Sequence, residues 1–199
     1  MARIIGKLTK KSRRYEFMLT ERPTDLRRTN APGAAKDARR GKLSNYALQL
    51  REKQRIRFTY GVTERQFYNT YLKSAKIKGV HGHNFLGVLE SRLDNLVYRA
   101  GFSNTRAGAR QLVNHGHVLV DGAKVDIPSY IVSKGQVISF KEGSVKFDII
   151  TEALASGRAV PTFLNVNKDS RTATLLHFPE RTEIANDFNE SLVVEFYNR

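Results

Sequence analysis

LESRLDNLVYRAGFSNTRAGARQLVNHGHVLVDG, residues 89–122, is the stretch on which the reading of the fold turns. Just upstream and through its first half, Phe85, Leu86, Leu89, Leu93, Leu96, Val97 and Ala100 recur at helical spacing. That predicts one helix over about 84–100 with a single apolar face, stopped by Gly101. Arg92 and Arg99, seven apart, are expected on one flank of this face, with Glu90 and Asp94 on the other. Ser103 is expected to cap a second helix running to 114 and closed by Gly116. Ala109, Leu112 and Val113 form its buried side, and Arg106 and Arg110 border it one turn apart. The period then changes. His117 to Val120 and 123–126 are β-formers around Asp121-Gly122, a pair suited to a two-residue hairpin because both positions need φ > 0. Residues 136–140 read as a further strand. Helices followed by antiparallel hairpins make the fold class α+β.

Upstream, Ser44 or Asn45 can cap a helix to about Tyr60, ended by Gly61. Thr63 with Gln66 three residues on has the spacing of a capping box. Phe67, Tyr68, Tyr71, Leu72 and Ala75 give the next helix its apolar stripe, with Gly79 as the expected stop. Downstream, 146–156 favours helix, and 162–166 and 172–178 read as strands joined by Asn167 to Ser170. The apolar run 192–197 is too short to be a domain of its own. The expected organisation is an extended basic arm over 1–43, a helical domain from 44–88 and 180–199, and between them an inserted domain over 89–179. That insert holds two helices and a small antiparallel sheet.

Charge is distributed unevenly. The 199 residues carry 34 Lys+Arg against 19 Asp+Glu, a formal net charge of +15. Residues 1–60 hold 17 of the basic and 5 of the acidic residues, whereas 143–199 hold 6 and 8. A surface that was merely soluble would mix the signs along the chain. A concentrated positive field attracts polyanions, so nucleic acid is the first candidate partner and the N-terminal third its main contact. No apolar run is long enough to span a bilayer, and no amphipathic anchor suggests a membrane surface. The basic first fourteen residues lack the apolar core of a secretory signal. With no Cys there are no disulfides and no Cys-ligated zinc or iron–sulfur site. The pairs His81/His83 and His115/His117 supply two ligands each, too few for a metal site, so no metal or cofactor is expected. No nucleotide-binding or hydrolase motif is present.

The stretch 89–142 resembles the RNA-binding module named after ribosomal protein S-four. The residues that carry the likeness are Arg92-Leu93-Asp94, Arg99, Arg106, Ala107, Arg110, Gln111, Gly116, Val120, Asp121-Gly122, Pro128 and Gly135. The remainder is similar to the bacterial S-four family of small-subunit ribosomal proteins. Lys11-Ser12-Arg13-Arg14, Ala31-Pro32-Gly33, LQLREKQ (48–54), YGVTERQF (60–67), PERTEI (179–184) and NESLVVEFY (189–197) carry that likeness. The chain departs from the family between Arg14 and Ala31, where some members hold a Cys-ligated zinc. The resemblance implies a non-enzymatic constituent of the cytoplasmic small ribosomal subunit. It implies primary binding to 16S ribosomal RNA, nucleation of subunit-body assembly, and neighbouring small-subunit proteins on the side where mRNA enters. A small-molecule substrate is not expected. The alternative is an RNA-modifying enzyme with the same module, for which 143–199 leaves too little chain to form a catalytic domain.

The expected RNA-binding residues follow from charge and resemblance together. In the arm they are Arg3, Lys10, Lys11, Arg13, Arg14, Arg39 and Arg40. In the helical domain they are Arg51, Lys53, Arg55, Arg57 and Arg65. Like charges four apart, as in Arg51/Arg55 and Lys53/Arg57, destabilise an isolated helix and suggest an anion lying against it. In the module they are Arg92, Arg99, Ser103, Arg106, Arg110, His117 and Lys124. Tyr46, Tyr60, Phe67, Tyr68 and Tyr71 can stack on bases, but their spacing suits a core better.

Overall fold

The computed structural model describes residues 6–21, 23–28, 30–33, 42–145, 147–184 and 187–198. The expected sites Arg3, Arg39 and Arg40 lie outside these residues. The chain divides into two compact units, 1–82 with 187–199, and 83–186.

The first unit is helical. Helix α1 (Leu8–Tyr15) corrects the expectation of an extended arm. A buried carboxylate organises the arm locally. Asp25 accepts hydrogen bonds from the Thr20 amide and hydroxyl, both 2.7 Å, and from the Ser12 hydroxyl at 3.2 Å. These polar side chains gave no periodic signal. Helix α2 (Asn45–Thr59) starts at Ser44, whose hydroxyl accepts from the Ala47 amide, as the cap residue predicts. Helix α3 (Glu64–Ser74) starts at Thr63 and stops five residues before Gly79. The C-terminal helix α9 (Glu190–Tyr197) packs on α2. Gln49 Nε2 donates to Glu195 at 2.9 Å, and the Tyr71 hydroxyl donates to Asn198 at 3.0 Å. Ile56, Tyr60, Phe67, Tyr71, Phe188 and Val193 are buried in this unit. Tyr46 and Tyr68 are exposed, so the aromatic set divides rather than forming one core.

Helix α4 (His81–Glu90) carries the chain into the second unit, and α5 (Leu93–Arg99) follows. The single long helix expected over 84–100 is therefore broken. At the break, Arg92 has extended backbone and bridges to Ile131. The Leu93 and Asp94 amides donate to the carbonyls of Tyr130 and Pro128. An apolar stripe cannot reveal such a break, because the packing face continues across it. Helix α6 (Arg106–Asn114) packs on α5.

The sheet has strands β1 (Val118–Val120), β2 (Ala123–Lys124), β3 (Val137–Phe140), β4 (Leu164–Asn167) and β5 (Thr172–Leu175). Their order is β2-β1-β3-β5-β4, and every pairing is antiparallel. Asp121 and Gly122 both take positive φ, 50° and 80°, as the hairpin requires. The Asp121 carboxylate also accepts from the Val137 amide and Gln136 Nε2, both at 2.8 Å, tying the turn to β3. Helix α8 (Asp148–Ala155) lies within 146–156, where helix is expected, and a short helix α7 (Glu142–Val145) precedes it. Leu93, Leu96, Val97, Phe102, Leu112 and Val113 pack with Val118, Ile138, Phe140, Phe163 and Leu175 in one core. The architecture is α+β.

Candidate nucleic-acid interface

In the second unit two buried carboxylates organise the arginines of the module. Asp94 accepts from Arg92 Nε at 3.1 Å and Nη2 at 2.9 Å. It also accepts from Arg110 Nε at 2.9 Å and Nη2 at 2.6 Å. Glu90 accepts from Arg99 Nε and Nη2, at 3.1 and 2.8 Å, and from Asn95 Nδ2. Asn95 in turn accepts from Arg106 Nε at 2.9 Å. Arg106 lies 4.3 Å above the Tyr98 ring, a cation–π stack. Thus α5 places Asp94, Asn95, Tyr98 and Arg99 on successive turns, and α6 brings Arg106 and Arg110 down onto them.

Arg92 and Arg99 are 3% and 8% exposed, so they are internal members of this network rather than surface cations. The expectation that Glu90 and Asp94 sit on a flank apart from the arginines is corrected, since the break before Leu93 folds the two sets together. A guanidinium this deep needs a carboxylate partner, because an unpaired buried charge costs several kcal/mol. Arg106 and Arg110 are half-buried and stand at the margin of the cluster.

Ser103 is not the helix cap. Its hydroxyl donates to the Thr105 carbonyl at 3.0 Å, and Thr105 caps α6 by accepting from the Gly108 amide at 3.0 Å. Gly108 permits this turn, since a Cβ there would stand 2.6 Å from Ser103 Oγ. His117 bonds through Nδ1 to Ser144 Oγ at 2.9 Å and sets its ring edgewise to Phe147, which fits a packing role. Lys124 is exposed and its stem lies over Gly116.

The first unit repeats the theme with different chemistry. The like charges on α2 pair with carboxylates, Glu52 on α2 itself and Glu16 and Glu64 from elsewhere in the chain. Arg51 pairs with Glu16 at 2.6 Å, Arg55 with Glu52 at 2.9 Å, and Arg57 with Glu64 at 3.5 Å. Lys53 is buried, pairs with Glu64 and sits 4.7 Å over Phe196. Arg55 also donates to the Tyr15 carbonyl from Nε and Nη2, fastening α1 to α2. Acids of the chain itself therefore offset the like-charge repulsion along α2. Burial pushes the Glu64 carboxyl up, but hydrogen bonds from Lys53 and Tyr197 outweigh it and hold the group below its ordinary range. Burial and the bond to Glu64 push the Tyr197 hydroxyl well up.

Lys10, Arg14 and Arg65 are exposed, and Arg13 is half-buried with Nη1 3.4 Å from the Asn30 carbonyl. Lys11 lies 4.1 Å over the Phe58 ring, and burial, then Arg57, lower its pKa. Sequence reasoning did not single out Asn95, Tyr98 or Arg158, and assigned Glu90 and Asp94 no part. The one available signal was the adjacency Arg92-Leu93-Asp94. Among the described residues, no three His, Cys, Asp or Glu side chains are grouped to hold a metal ion. No helix among them is long and apolar enough to cross a membrane.

Comparison with known proteins places this geometry. Residues 3–90 match the family model described as ribosomal protein S4/S9 N-terminal domain, and 91–138 match the S4 domain. The small ribosomal subunit protein uS4 of Oceanobacillus iheyensis is 50% identical over the whole of both chains. Its counterpart in Staphylococcus aureus strain JH9 is 52% identical, again over the full length of both. Two family models that together cover residues 3–138, and half of all positions identical from end to end, make this chain a member of the S4 family of small-subunit ribosomal proteins.

Proposed function

We propose that this protein is a structural constituent of the small ribosomal subunit in the cytoplasm, that it binds 16S ribosomal RNA, and that it has no catalytic activity of its own. The observation that carries the reading is the arginine cluster of α5 and α6, set in a chain whose full-length relatives are small-subunit proteins. RNA helices present phosphates and shape more than readable base edges. A protein that fixes such a fold needs cations held at set positions. Arg106 and Arg110 meet that need, because each guanidinium is anchored from behind by Asn95 or Asp94. Arginine's planar fork suits a phosphate, and the amide-rich start of α6 adds a favourable dipole.

The exposed cations Lys10, Arg14, Arg65 and Lys124 add charge without fixed geometry. Arg3, Arg39 and Arg40 belong to the same proposal on charge alone. Arg92 and Arg99 contribute by holding the network in place. The family resemblance supports three finer points: primary binding early in assembly, a part in nucleating the subunit body, and neighbouring small-subunit proteins where mRNA enters.

Sedimentation of a lysate tests the reading. The protein is expected to travel with the small subunit and to remain there after a moderate salt wash. A protein found only at the top of the gradient overturns it.

A further inference from the structure

Arg158 lies outside both segments that match family models, yet it grips the RNA-binding cluster. It belongs to the loop between α8 and β4. Its Nη1 donates to the carbonyls of Tyr98 and Ser103, both at 3.1 Å, and its Nη2 donates to that of Asn104 at 3.2 Å. Its guanidinium also stacks on Tyr98 at 4.1 Å, while Arg106 stacks on the same ring at 4.3 Å. Tyr98 is 1% exposed.

We infer that Arg158 is a positioning residue for RNA binding, which locks the 101–105 loop and thereby fixes the start of α6 and Arg106. The inference rests on the RNA-binding reading above. Three carbonyls within one fork's reach define the path of the loop, and no other side-chain type supplies enough donors in that plane. The Tyr98 carbonyl lies in the last turn of α5, where a cation is also favoured by the helix dipole. The loop ends at Thr105, the cap of α6. With Arg158 removed, the loop loses the three carbonyl anchors at Tyr98, Ser103 and Asn104 that one guanidinium supplies. A site that must order on binding gives up affinity relative to one already ordered.

The test uses the full-length protein with Arg158→Lys and Arg158→Ala, and full-length 16S ribosomal RNA as probe. Affinity is measured over a range of salt concentrations, alongside thermal unfolding and hydrogen exchange of the Gly108 amide. Both variants are expected to bind roughly tenfold more weakly, about 1.4 kcal/mol. The log–log salt slope should match the wild type, because no phosphate contact is lost. The Gly108 amide should exchange faster in both. Lysine keeps the charge but not the fork, so it should not rescue. If Arg158→Ala is unfolded at the assay temperature, Arg158→Lys carries the test. Unchanged affinity in the folded variants overturns the inference. So does full rescue by lysine with a slope reduced by about one in the alanine variant alone, since that marks a direct phosphate contact. Wild-type protein that fails to bind 16S ribosomal RNA overturns the underlying reading instead.

Discussion

Arg65 on α3 and Arg110 on α6 carry the same guanidinium, yet the chain treats them differently. Arg65 stands exposed on its helix. Arg110 is drawn against Asp94 by two short hydrogen bonds. The contrast extends to their regions. The exposed cations of α1 and α3 add to the positive field, which attracts RNA over a distance but specifies little. The arginines of α5 and α6 are set among Glu90, Asp94 and Asn95; the two carboxylates offset part of the local positive charge, and all three side chains fix direction. For a partner whose phosphates recur at regular spacing, direction is what distinguishes one fold from another. Net charge is therefore a poor guide to which cations confer specificity.

The largest effect expected from this contrast falls on stability. Glu90 is fully buried and holds Arg99 and Asn95. Glu90→Ala removes the carboxylate that holds a buried guanidinium and should cost about 3–5 kcal/mol, measurable by urea unfolding. Arg65→Ala, its counterpart among the exposed cations, should shift stability by less than about 0.5 kcal/mol. Similar losses in the two would erase the distinction.

Next comes affinity. The double variant Arg106→Ala with Arg110→Ala should bind 16S ribosomal RNA tenfold or more weakly, since a charged hydrogen bond contributes about 1.5–3 kcal/mol. The bonds to Asn95 and Asp94 mean that stability also falls, by about 1–3 kcal/mol in total. Asp94 remains paired with Arg92, so the fold should persist. Lys168→Ala with Arg171→Ala serves as the control. Arg171 makes a single exposed bond to Thr151, and affinity should change by less than about twofold. Equal losses in the two double variants would deny the cluster any special part.

The smallest effect concerns acid. Glu64 links Lys53 on α2 to Tyr197 on α9, and its carboxyl is held below the ordinary value of 4.5. A carboxylate depressed in the folded state stabilises above its unfolded pKa and loses that contribution as pH falls through its folded pKa. Loosening of α9 should therefore begin below about pH 4.5, followed by fluorescence of Tyr197 and its neighbours. Glu64→Gln should flatten that acid limb. An unchanged limb would mean that Glu64 does not hold the helix.

The sequence made the periodic features legible. The caps Ser44 and Thr63, the Asp121-Gly122 turn and the apolar faces of α4, α5 and α6 all follow from local chemistry that repeats at a fixed spacing. Features that depend on partners distant in the chain were not legible. Examples are the fold of the arm around Asp25, the break between α4 and α5, and the pairing of α2 with Glu16 and Glu64. At the site, the basic residues stood out while the acids that aim them did not. A carboxylate nine residues from its arginine, as Glu90 is from Arg99, leaves no periodic trace. The α2 cations show the cost of that blindness. Their like-charge spacing suggested an external anion and gave no sign of the carboxylates of the chain that stand among them.

The salt dependence of 16S ribosomal RNA affinity tests the central claim most directly, measured for the wild type, for Lys10→Ala with Arg14→Ala and Arg65→Ala, and for Arg106→Ala with Arg110→Ala. The wild-type log–log slope should be several units, as for a protein that neutralises about six to ten phosphates. Removing the exposed cations should lower the slope while leaving discrimination against a non-ribosomal RNA of equal length nearly intact. Removing the anchored arginines should abolish most of that discrimination at every salt concentration. A wild-type slope near zero, or discrimination that depends on the exposed cations instead, would contradict the account.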